Sequence, residues 1–155
     1  MIVKDILRFI IISPELLFIL LTLLILNSFP ELSNLIASFV FDKSMQWENY
    51  LTLFGIPIML LISIYKMGDE LQNPSNDENR KLLKEWPQYW MIKNRIIFSL
   101  IISLTGVVGT FIAWIYAMQT DIVFAMKIIL LLWSAMLGSF LSLAYAKLTI
   151  KDILY

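Results

Sequence analysis

The chain contains no cysteine and no histidine. Without cysteine there are no disulfides, thiolate nucleophiles or thiolate metal sites. Without histidine there are no zinc–histidine motifs, no Ser–His couple and no imidazole proton relay. Five glycines scattered over 155 residues cannot build a phosphate-cradling loop. Charge is scarce as well: 15% of residues are ionisable and they sum to zero, so no bulk field attracts nucleic acid. No two acidic residues fall midway along an apolar run, which excludes an intramembrane aspartyl protease. The sequence offers no catalytic group, cofactor site or metal ligand set, and the expectation is a protein that is not an enzyme.

What fills the chain instead is apolar. It is 59% hydrophobic, with mean hydropathy +0.79, beyond the range of a soluble domain of this size. Four apolar runs stand at 14–29, 49–66, 96–118 and 125–146. A hydrocarbon core about 30 Å thick takes ~20 helical residues; the last two runs reach this easily, 49–66 marginally, and 14–29 is short. The expected fold class is an all-α membrane protein with four transmembrane helices, treated as one membrane domain.

The basic residues give a threading. Lys4, Arg8, Lys66, Arg80, Lys81, Lys84, Lys93, Arg95, Lys147 and Lys151 lie at the two ends and in the middle loop, while only Lys43 and Lys127 lie in the other connections. Cytoplasmic segments retain Lys and Arg, so both termini and the 67–95 loop are predicted to face the cytoplasm, in a bacterial inner membrane. Aromatic residues agree with this. Trp47, Tyr50, Trp114 and Tyr116 fall at outer ends, and Tyr65, Trp86, Tyr89, Trp90 and Tyr145 at inner ends, where amphipathic rings prefer to sit; Trp133 is the exception. Lys4 and Arg8 before an apolar run also resemble a signal peptide, but no small-x-small cleavage pattern follows, and an uncleaved first span is expected.

Residues 2–12 form one apolar face opposite Lys4, Asp5 and Arg8. Ser13-Pro14-Glu15 then reads as a helix start. Either 2–12 lies flat on the inner leaflet and the span begins at Pro14, with Glu15 at the headgroups, or one kinked helix runs from about 5 to 28 and carries Glu15 into the bilayer. The first is preferred because it buries no carboxylate. Segment 31–41 places Leu32, Leu35, Ile36, Phe39 and Val40 on one helical face, with Glu31, Ser33, Asn34 and Ser38 on the other. It is predicted to lie along the outer interface. Pro57 predicts a kink in the second span. In 67–95, Ser75-Asn76-Asp77-Glu78 is a capping box for a short helix, Pro87 opens a helix leading into the third span, and 147–155 forms a cytoplasmic tail.

Two constellations stand out. Ser99, Ser103, Gly106, Thr110, Ala113 and Ala117 repeat at spacings of 4, 3, 4, 3 and 4, one stripe of small residues on the third span. Ala135, Ser139, Ser142 and Ala146, with Gly138 beside them, match it on the fourth. Small residues let helices pack closely in lipid, which is as apolar as leucine. The stripe therefore reads first as a helix-packing seam, within the chain or between copies, and second as a hydroxyl-lined pore. The second constellation is Arg80, Lys81, Lys84, Trp86, Tyr89 and Trp90, with Lys93 and Arg95: topology charges and anchors drawn to anionic lipid, or a docking surface for a cytosolic protein. Asp69, Glu70, Asp77, Glu78 and Glu85 are interleaved with it and weaken any reading as a nucleic-acid site.

A short four-pass chain with no enzymatic group and one small cytoplasmic loop resembles the membrane subunits of bacterial defence operons, the Kiwa antiphage system among them. The resemblance covers the layout of the whole chain and carries no functional residue across. It implies an oligomeric inner-membrane sensor that recruits a cytosolic DNA-binding partner through its inner face, here 67–95 and the termini. The leading expectation is a non-enzymatic, homo-oligomeric membrane sensor or adaptor. Its alternatives are a pore-forming or ion-channel effector and an accessory subunit of a transporter.

Overall fold

A computed structural model describes residues 13–41, 47–74, 81–82, 84–85, 87, 89–119 and 121–154, with the side chains of 39, 47–50, 52, 118–119 and 151–154 excepted. Among the described residues five helices follow one another: α1 (Pro14–Ser28), α2 (Pro30–Val40), α3 (Trp47–Gln72), α4 (Tyr89–Gln119) and α5 (Ile122–Leu154). No strand occurs among the described residues.

The helix ends follow local chemistry. Ser13 is extended (φ −70°, ψ 129°) and its hydroxyl accepts from the Leu16 N–H at 3.2 Å, with Pro14 next. A helix therefore begins at Pro14. Pro30 ends α1: a residue before proline is pushed out of the helical region, and Phe29 sits at φ −129°, ψ 73°. The chain turns by 95° there. Asp121 caps α5 by accepting from the Val123 and Phe124 N–H groups at 2.9 and 3.1 Å, which starts that helix three residues before the expected 125. α3 runs unbroken through Pro57, whose nitrogen has no proton to donate to Leu53.

Among the described residues two helices, Tyr89–Ala117 and Ile122–Ile150, are long and apolar enough to cross a membrane; α1 and α2 pass together only as a bent pair. This corrects the count of four. α1 has 15 residues, about 22 Å at ~1.5 Å per residue, short of a ~30 Å core. α3 has the length but ends in Lys66, Asp69 and Glu70. Two boundaries also move. α3 continues to Gln72 through what was expected to be loop from 67, and α5 is helical to Leu154 through the expected tail.

α5 is the hub, in contact with α1, α2, α3 and α4. At one end of the bundle Val40, Phe41, Leu53, Ala113, Ala125 and Met126 are buried together. Phe54 meets Trp114 edge-on at 5.7 Å, and Phe111 lies 6.0 Å from Phe54. At the other end Ile64, Leu71, Ile96, Leu143 and Ile150 form a second cluster, joined by Tyr89. The expected apolar face of α2 is divided: Leu32 and Leu35 are exposed, whereas Val40 is buried in the first cluster and Ile36 packs against it. So α2 packs on the bundle through a face that includes Ser33, which is 1% exposed and donates to the Pro30 carbonyl at 2.7 Å.

The interfacial helix expected over 2–12, the capping box at 75–78, Arg80 and Trp86 lie outside the described residues, as do the side chains of Trp47 and Tyr50.

Candidate functional site

The most polar place inside the bundle is where the start of α1 meets α4 and α5. Glu15, one residue into α1, is 3% exposed. Its Oε1 accepts from Arg95 Nη2 of α4 at 2.5 Å and from Ser139 Oγ of α5 at 2.7 Å. Arg95 Nε also donates to Ser142 Oγ at 2.9 Å. Ser139 and Ser142, three apart on α5, fall on one side of that helix. The second carboxylate oxygen, Oε2, is buried without a hydrogen-bond partner.

Gly138 makes this arrangement possible. A Cβ there would stand 2.9 Å from Glu15 Cα and 3.0 Å from the Pro14 carbonyl oxygen, so only glycine lets the α1 backbone come this close. The Glu15 carboxylate thus lies at the positive end of the α1 dipole with a guanidinium and a hydroxyl turned towards it. A charge buried in such surroundings persists when paired and hydrogen-bonded. The helix starts where the sequence puts it, but the expectation of an unburied carboxylate is corrected: Glu15 turns into the bundle, where Arg95 neutralises it.

This pair is what the sequence reasoning missed. Arg95 was grouped with the topology charges and Glu15 with the headgroups. The signal lay in the register of the small-residue stripe, because Arg95 is one turn before Ser99 on α4 and shares its inward face. Ser139 and Ser142 were recognised as seam residues, without the charge that they serve.

The stripe itself is buried along its whole length. Ser99, Ser103 and Thr110 are 0% exposed, Ala113 5% and Ala117 4%, and Gly106 is buried with them. A Cβ on Gly106 would stand 2.4 Å from Met136 Sδ, and one on Gly109 2.7 Å from Leu132 Cδ1. Both neighbours belong to α5, so the seam closes a hairpin within one chain. Ser103 donates to the Ser99 carbonyl and Thr110 to the Gly106 carbonyl, each at 2.8 Å. On α5, Ala135 and Ser139 are buried and Ser142 is half-buried.

Of the residues expected to meet a cytosolic partner, Lys81, Lys84 and Trp90 are exposed, Trp90 by 59%. Tyr89 instead packs against the second apolar cluster. Close to it, Lys147 of α5 pairs with Glu70 of α3 in the open. Ser139 to Lys147 is eight residues, about 12 Å along a helix at ~1.5 Å rise, so the exposed and buried pairs lie at different depths. No group of three or more His, Cys, Asp or Glu residues that could hold a metal occurs among the described residues.

Compared with protein-family models, curated proteins and solved structures, the chain matches none of them.

Proposed function

We propose that the chain is a non-enzymatic membrane adaptor: a helical anchor that holds a basic, aromatic face at its inner end for a cytosolic protein. One observation carries this reading. Glu15, buried, and Arg95, half-buried, are engaged with each other, while Lys81, Lys84 and Trp90 remain outward and open to another molecule. The threading that goes with the proposal sets the α4–α5 hairpin across a bacterial inner membrane, with α1 and α3 packed beside it and both termini cytoplasmic, on the strength of the Lys and Arg distribution.

Oligomerisation and a role in antiphage defence extend the proposal; its support is the layout of the sequence, a short apolar chain with one small basic and aromatic loop. The pore reading has less behind it, since the hydroxyls expected to line a channel are buried against the chain's own α5. The test is co-purification from detergent. A soluble partner recovered in fixed ratio with the intact chain, and lost on combining Lys81→Glu, Lys84→Glu and Trp90→Ala, is the expected result. Recovery unchanged by those substitutions, or by deletion of 75–90, contradicts the docking face. Depolarisation of cells on induction, abolished by Gly106→Leu, would replace the adaptor with a channel.

A further inference from the structure

α1 is attached to the bundle in an unusual way. Of its fifteen residues only Glu15 and Leu26 are buried. Leu17, Leu20, Leu21 and Leu24 are each more than half exposed. In lipid, helices associate through close packing and polar contacts, since the tails that they displace are as apolar as leucine. α1 packs along α5, and its one charged contact is the carboxylate at its start. That carboxylate sits in a ready-made oxyanion cradle of Arg95 and Ser139, with the guanidinium steadied by Ser142 and the approach cleared by Gly138.

We infer that Arg95, Ser139 and Ser142 form an oxyanion-binding site whose resident ligand is the chain's own Glu15, so that α1 is a latched arm and not a fixed span. With Glu15 withdrawn, the cradle presents a cation and two hydroxyls near the inner end of the bundle. That chemistry suits a phosphate-type anion, from a phospholipid headgroup or from free phosphate. Planar guanidinium groups bind carboxylate and phosphate by the same directed hydrogen bonds.

The absence of native cysteine makes the test direct. Spin labels at Leu24→Cys on α1 and Leu141→Cys on α5, both lipid-exposed positions, report the distance between the two helices by double electron–electron resonance in nanodiscs. The full chain is expected to give one narrow distribution, and Glu15→Gln to lose most of it to broad, longer distances. A Glu15→Gln distribution identical to the parent's overturns the latch. Should Glu15→Gln fail to fold, Arg95→Gln removes the cation that holds the carboxylate; it is expected to populate the broad, longer distances, and a parent-like distribution again overturns the latch. The site is tested by thermal unfolding of Glu15→Gln in three settings: phosphatidylcholine discs, the same discs with inorganic phosphate, and phosphatidylglycerol discs. A rise in melting temperature in either anionic setting, abolished by adding Arg95→Gln, supports the cradle and identifies the source of the anion. No rise, or one that survives loss of Arg95, overturns it.

Discussion

The α4–α5 hairpin and α1 show two different solutions to holding helices together in lipid. The hairpin uses closeness: Gly106 and Gly109 bring α4 onto Met136 and Leu132, and the hydroxyls of Ser103 and Thr110 are returned to their own helix. α1 adds charge to closeness: Gly138 admits its backbone onto α5, and a single buried carboxylate is held there by Arg95 and Ser139. The difference teaches that close packing is spread over many residues and tolerates local damage, whereas a buried ion pair concentrates attachment at one point and fails when one partner is removed.

Substitutions that separate these two modes should differ in size. Arg95→Ala has the largest predicted effect, because it leaves Glu15 charged and stranded, a loss of about 3–5 kcal/mol; unfolding in mixed micelles measures it. Parent-like stability would show that Glu15 is not held as described. Gly138→Ala comes next, at about 1–3 kcal/mol, since the added carbon meets Glu15 backbone at 2.9 Å and α1 must move. Gly55→Ala is its control: nothing lies within 4 Å of a Cβ there, and removing a helical glycine should stabilise by about 0.5–1 kcal/mol. Ser139→Ala removes one donor to the carboxylate and should cost about 1 kcal/mol. Smallest is Glu70→Gln, which opens the solvent-exposed pair with Lys147 and should change stability by less than about 1 kcal/mol. A larger change there would mean that the helix ends, and not the buried pair, secure the bundle.

How much of this was legible in the sequence varies with the range of the interaction. Helix starts were readable from adjacent residues: Ser13 before Pro14 marks α1, and apolar length marks α4 and α5. The small-residue stripe on α4 was visible as spacing, and its six members are all buried. The Glu15–Arg95 pair was not read because its partners are 80 residues apart, and each has a satisfactory local explanation, a first-turn acid and an inside-flanking base. The extension of α3 to Gln72 and α5 to Leu154 was missed for a related reason. Where hydropathy falls at Lys66 and Lys147, the sequence reads as leaving the membrane, but a helix can continue into water when its neighbours bury Leu71 and Ile150. Loss of apolarity ends a span without ending a helix.

The account turns on attachment of α1 by a buried ion pair, and a double-mutant cycle on Glu15→Gln and Arg95→Gln tests that most directly. If the pair is the attachment, each single substitution strands its partner and the double does not, so stabilities measured in the same lipid should show a coupling of about 1–3 kcal/mol. Losses that add to within about 0.5 kcal/mol would mean that the two residues act separately, and that something other than their charges holds α1 in place.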